Sequence, residues 1–165
     1  MYTLPELVDN RFELSQYEGG ICLVYRLALE DCHRYFFCDD GEILRMEEIA
    51  GALHTVRPIS EPYRVFCRNH RICTLMRTKH FGEMLQIEVG ALQIGRINNH
   101  KVTAFSRMEE KGYFSYGGST IIQLFPAGVI LVDEDIRRFS EEGIEVLVRA
   151  GEKIGGILHH KRNAC

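Results

Sequence analysis

The chain has 165 residues, 45% of them hydrophobic and 26% charged, with 20 basic and 23 acidic side chains and a formal net charge of −3. That composition suits one compact globular domain with a real core and excludes a low-complexity or disordered chain. The nearly balanced charge leaves no electrostatic footprint for nucleic acid, and no apolar run is long enough to span a membrane.

Taken in chain order, the pattern is mainly β. Residues 1–7, MYTLPEL, lack the basic start and long apolar run of a signal peptide. Thr3 as N-cap and Pro5 in the first turn predict a short helix over 4–8. ICLVYRL at 21–27 and RYFFC at 34–38 read as strands. Asp39-Asp40-Gly41 is a hairpin signal, with a return strand over 42–46. Residues 72–76 and 84–89 form the next two strands, joined through KHFG at 79–82. In the second of these, Leu85, Ile87 and Val89 alternate, which predicts one buried face. Glycines at 90 and 95 suggest a bend within 90–97. Residues 119–125 and 129–132 flank a Pro126-Ala127-Gly128 turn. Residues 133–139 have acids early and bases late, as a short helix does, and 143–149 return to strand. The expectation is a single domain over 1–165, all-β or mainly β, with many short strands in a barrel or sandwich and one or two short helices.

Six cysteines are present, at 22, 32, 38, 67, 73 and 165. Without a secretion signal, free thiols are expected. Cys32 to Cys38 and Cys67 to Cys73 are both C-x5-C and enclose His33 and His70. Zinc pairs are usually spaced more tightly, so no metal is expected. Asp31 and His33 would share a face on an extended backbone, where a carboxylate could fix an imidazole tautomer. The plainer reading is a surface Asp beside a half-buried His. His80 alone reads as a loop histidine, and His54 and His100 join no constellation. Gly118 leaves its carbonyl unshielded and permits unusual backbone angles, and Ser119 follows it with a hydroxyl. A tight turn wants those properties, and so does a bond built to be broken.

Read together, the pieces resemble the phosphatidylserine decarboxylase family. The matching stretches are DCHR at 31–34, FCRNHR at 66–71, HFG at 80–82, EVGA at 88–91, EKGYFSYGGST at 110–120 and GEKIG at 151–155. The resemblance implies self-cleavage between Gly118 and Ser119, giving chains 1–118 and 119–165. The serine oxygen attacks the preceding carbonyl, the resulting ester is eliminated, and residue 119 becomes a pyruvoyl group. It further implies His33 as the base that activates Ser119, Asp31 as its orienting partner and His80 as a proton donor in decarboxylation. The implied reaction takes phosphatidylserine to phosphatidylethanolamine with loss of carbon dioxide, using the self-derived pyruvoyl carbonyl as electron sink.

The matches begin at Met1, which implies a short form lacking the family's N-terminal region, with open strand edges that favour a homo-oligomer. A cytoplasmic protein is expected, with peripheral membrane contact if the substrate is a lipid. Three alternatives accompany this reading. The chain could decarboxylate a soluble amino acid, or another amine-bearing carboxylate. It could be a non-cleaving relative that binds lipid headgroups or a protein. It could be a thiol–metal module built on the two C-x5-C pairs.

Overall fold

The computed structural model describes residues 2–56, 64–91, 96–115 and 119–158. Gly117 and Gly118, positions 92–95 of the glycine-bearing stretch, the basic residues 159–162 and Cys165 lie outside them. The strands are β1 (Ile21–Leu27), β2 (Arg34–Phe36), β3 (Gly41–Ile49), β4 (Arg71–Thr78), β5 (Gly82–Val89), β6 (Arg96–Asn99), β7 (Ala104–Phe105), β8 (Glu110–Ser115), β9 (Ser119–Phe125), β10 (Ile130–Val132) and β11 (Gly155–Ile157). Among the described residues, three short α-helices accompany them, α1 (Leu4–Leu7), α2 (Val65–Arg68) and α3 (Glu134–Glu141), with one 3-10 turn at Ser15–Tyr17.

Six strands form an antiparallel sheet in the order β1-β9-β5-β4-β3-β7. Strands β2-β8-β6 form a second sheet, and β10 pairs with β11 as a ribbon. The sheets are open, so the arrangement is a sandwich and not a closed barrel. Tyr35, Ile97 and Phe114 from the small sheet meet Ile72 and Ile121 from the large one in a shared core. Farther along the same face, Met76, Met84 and Phe125 pack with Phe37 and Phe105.

The opposite face of the large sheet is covered by the N-terminal segment. Leu7, Val8 and Tyr17 pack on Cys73, Leu85, Ile87, Ile122 and Leu124. Each fully buried aliphatic side chain here contributes about 1.5–3 kcal/mol. The buried Arg71 fastens this layer, its guanidinium donating to the carbonyls of Leu7 (2.6 Å), Cys67 (2.7 Å), Asn69 (3.0 Å) and Glu6 (3.2 Å). Asn69 donates to the carbonyls of His54 (2.7 Å) and Gly90 (2.8 Å). The FCRNHR stretch is therefore architectural, satisfying loop carbonyls that would otherwise be buried unpaired.

Three expectations are corrected. Asp39-Asp40-Gly41 does not close a β2–β3 hairpin; β2 pairs with β8 and β3 with β4, so the chain changes sheets there. The Pro126-Ala127-Gly128 turn separates β9 from β10 as expected, and β10 pairs with β11. Residues 143–149 form no strand despite their branched side chains, because no described strand offers them a ladder; Leu147 is 89% exposed. Finally, both faces of β5 are buried, including Gln86 at 1% and Glu88 at 0% exposure, because the small sheet covers the side that alternation left polar.

Candidate active site

Ser119 opens β9 and pairs with Leu27, the last residue of β1. All seven residues of β9 are buried, since the strand lies between β1 and β5 with a layer on each face. Register puts Ser119 on the face of Ile121 and Gln123, toward the small sheet. Its residue exposure is 0%, and its Oγ has no hydrogen-bond partner. An unpaired buried hydroxyl costs about 1–3 kcal/mol. Such a group calls for an explanation, and a reactive role is one.

His33 sits in the connection from β1 to β2. That connection leaves Leu27, the partner of Ser119, and returns at Arg34, the partner of Tyr113. Strand β8 runs on from Tyr113 to Ser115, and four residues later the chain is at Ser119. Ser119 and the loop holding His33 therefore lie at the same end of the sandwich. Phe114 reinforces this: its N–H donates to the His33 carbonyl at 2.9 Å, and the two rings meet edge-on at 6.5 Å. Phe114 belongs to the same core cluster as Ile121 and Leu27.

The imidazole is held by its Nδ1, 2.8 Å from the Asp31 backbone carbonyl. A carbonyl can only accept, so Nδ1 carries the proton in the neutral ring and Nε2 carries the lone pair. That Nε2 is buried without a partner. The Asp31 carboxylate does something else: it accepts the Ala28 N–H at 2.7 Å and shapes the loop. The tautomer a general base needs is thus present, supplied by a backbone carbonyl and not by a side chain. Arg34, next along, reaches both Glu110 oxygens at 2.7 Å, and His100 Nε2 lies 2.8 Å from the same carboxylate. The hydrogen bond to His100, then that to Arg34, hold the Glu110 carboxyl below its usual range.

His80 lies elsewhere. It occupies the turn from β4 to β5, and its neighbour Phe81 packs edge-on against Phe125 at 5.4 Å. Phe125 is the last residue of β9 and Ser119 the first, so about 20 Å of strand separates the two ends. The chain does not bring His80 to Ser119. It instead pairs His80 with Asp39, whose carboxylate accepts the His80 backbone N–H at 2.7 Å and lies 2.8 Å from Nδ1. Asp39 is buried at 3% exposure, and sequence reading took it only as a turn residue. It also missed the ion pair of Lys111 and Glu88 at 2.9 Å, with side chains 1% and 0% exposed. A charged residue in a run with Gln86 was the available signal, but alternation assigned it to solvent.

Among the described residues, Cys22, Cys32, Cys38, Cys67 and Cys73 are free thiols. Burial pushes the Cys38 and Cys73 thiols up to about 12. Among the described residues, no three His, Cys, Asp or Glu side chains come together as metal ligands. Among them too, no helix is long and apolar enough to cross a membrane.

A model of the phosphatidylserine decarboxylase family matches residues 1–156 of this sequence. The chain belongs to the phosphatidylserine decarboxylase family. Among its relatives, phosphatidylserine decarboxylase proenzyme 2 of Clostridium acetobutylicum is 47% identical over 156 residues, covering 94% of this chain and 54% of the relative. The phosphatidylserine decarboxylase proenzyme of Clostridium novyi is 41% identical over 162 residues, covering 93% and 54%. That of Ruminiclostridium cellulolyticum is 37% identical over 161 residues, covering 95% and 54%. The chain thus spans about half the length of the curated relatives it matches. Within this phosphatidylserine decarboxylase family member, the DCHR stretch and Ser119 lie toward one end of the sandwich, while HFG lies at the other.

Proposed function

We propose that this chain carries the self-cleaving part of a pyruvoyl-dependent decarboxylase that acts on phosphatidylserine. The observation that carries the reading is the buried, unpartnered Ser119 Oγ at the head of β9, with the equally unpartnered Nε2 of His33 in the loop that follows its partner strand β1. The names of the relatives, all phosphatidylserine decarboxylase proenzymes, supply the substrate.

In this reading His33 Nε2 accepts the Ser119 hydroxyl proton as Oγ attacks the carbonyl of residue 118. The Oγ–C bond forms, the C–N bond breaks, and the proton passes to the freed amine. Loss of the residue 119 α-proton then breaks the Cβ–Oγ bond, releasing residue 118 as a carboxylate. Hydrolysis of the remaining enamine, through its imine, liberates ammonia and leaves a pyruvoyl group at 119. The surroundings fit that group: residue 119 is fully buried, paired with Leu27 and on the same strand face as Ile121, and its Oγ has no competing hydrogen bond. A pyruvoyl carbonyl takes up the electrons left when a carboxylate departs as carbon dioxide. The chain's own part is to keep the position dry and to hold a proton at His33 Nε2 for return to the substrate. His80, about 20 Å away along β9, is given no step at residue 119.

The test is the mass of the denatured protein. Incubated wild type resolves into chains 1–118 and 119–165, the second blocked at its N-terminus, and Ser119→Ala remains one chain. An uncut wild type, with no carbonyl reactivity at 119, would overturn the reading. Carbon dioxide release from phosphatidylserine vesicles, compared with free serine, tests the substrate.

A further inference from the structure

The core between the sheets holds a polar network that a sandwich does not need. Lys111 Nζ donates to Glu88 Oε1 at 2.9 Å and to Asn99 Oδ1 at 3.1 Å. Asn99 Nδ2 donates to Glu88 Oε2 at 3.1 Å, and Gln86 Nε2 to Glu88 Oε1 at 2.8 Å. Gln123 Nε2 donates to Gln86 Oε1 at 2.9 Å, and the Tyr35 hydroxyl to Asn99 Oδ1 at 3.0 Å. One carboxylate thereby ties β5 to β8, β6, β2 and β9.

The network is built by a specific irregularity. Tyr35 pairs with Gly112 but Phe36 pairs with Glu110, so Lys111 is the extra residue of a β-bulge. A bulge re-aims a side chain, and this one turns a lysine inward. Room comes from Gly112, where a Cβ would lie 2.3 Å from the Asn98 carbonyl oxygen and 2.9 Å from the Tyr35 hydroxyl. A buried ion pair is a poor source of stability, because desolvating both charges offsets their attraction. Its benefit must lie in geometry or chemistry. Chemistry is closed to Glu88, whose two oxygens accept three hydrogen bonds.

The position supplies the geometry. Glu88 pairs directly with Ile121, which makes Ser119 its diagonal neighbour, about 7–8 Å away in a regular sheet. Lys111 lies on β8, the strand that leads into residue 119 from the other side. We propose that the Lys111–Glu88 pair is a positioning device for self-scission. It fixes β8 and β9 to β5, so that the Ser119 Oγ is held in place for its attack on the preceding carbonyl. The inference rests on the self-cleavage reading above. Acyl transfer needs its atoms about 3–3.5 Å apart, and a 1 Å displacement can cost about 100-fold.

The test is the near-isosteric, uncharged double variant E88Q/K111M, followed by melting temperature and by scission rate from pH 6 to 9, with and without hydroxylamine. Hydroxylamine cuts the ester if the acyl shift has occurred. The expected result is a folded protein whose scission is slowed about 30-fold or more at every pH. The pH profile keeps its wild-type shape, since the loop that holds His33 is unchanged, and hydroxylamine gives no acceleration. A folded variant cutting within about threefold of wild type would overturn the proposal, and so would prompt cutting by hydroxylamine. If the double variant does not fold, Gln123→Met removes the tie to β9 without stranding a charge; scission slowed about threefold or more supports the proposal and an unchanged rate overturns it. A wild type that never cuts removes the self-cleavage reading and this proposal together, whereas normal cutting by the variants removes this proposal alone.

Discussion

At the scale of single residues, the informative atom is the Asp31 carbonyl oxygen. It holds His33 Nδ1, while the Asp31 carboxylate caps Ala28. If His33 is the base, the two substitutions separate cleanly. His33→Ala should slow scission about 10²–10⁴-fold, the usual contribution of a positioned base. Asp31→Ala keeps the carbonyl and should stay within about tenfold of wild type, measured by the same denaturing time course. In a carboxylate–imidazole pair the two losses would be comparable. The pair DCHR was legible in the sequence as chemistry, but its division of labour was not, because a backbone acceptor leaves no trace in side-chain identity. Asp39 is the converse: its carboxylate is spent on His80, a partner 41 positions away that no local pattern links to it.

At the scale of elements, β1, β4, β5 and β9 were legible from branched and aromatic runs, and α3 from its acids and bases. Strand pairing was less so. Asp39-Asp40-Gly41 carries hairpin chemistry and yet bridges two sheets, since a turn sequence fixes the reversal but not the ladder that follows. The bulge at Lys111 is invisible to alternation for the same reason. Gly112 is where it can be probed. Gly112→Ala drives a Cβ into the backbone oxygen of Asn98, which cannot yield as a flexible side chain would. A cost of about 1–3 kcal/mol is expected. At about 2–4 °C per kcal/mol for a chain of this size, thermal melting should fall by at least about 2 °C.

The N-terminal layer offers a second test at this scale. The Glu6 carboxylate accepts from the Thr3 hydroxyl and backbone and pairs with Arg64, joining α1 to the start of α2. The Thr3 hydroxyl, then Arg64, lower its pKa from 4.5 to about 2. A carboxyl depressed on folding stabilises above its unfolded value and ceases to as pH falls through its folded one. Protection of the Leu7 amide from exchange should therefore decline between about pH 4.5 and pH 2. The Glu6→Gln variant should lack that step.

At the scale of the whole molecule, the proposed cut falls at the edge of the most buried strand. Strand β9 pairs with β1 along its full length and with β5 over five residues, from Thr120 to Leu124. Scission before Ser119 would leave all of those bonds in place. The two products should stay together as one species of about 19.0 kDa per copy in native mass spectrometry, and separate only on denaturation. Immediate dissociation would mean that β9 is not held as described.

The sequence by itself determined the β class, most of the long strands, and the family, because periodicity and motif order are local or linear properties. It did not determine which faces were covered. Glu88 and Gln86 were assigned to solvent until a second sheet closed over them, and burial is set by whatever packs from elsewhere in the chain. Nor did it determine distance. The resemblance gave His33 and His80 separate roles, one as base and one as proton donor, with no distance between either and Ser119. Only the register of β9 between β1 and β5 set one at the Ser119 end of the sheet and the other about 20 Å away.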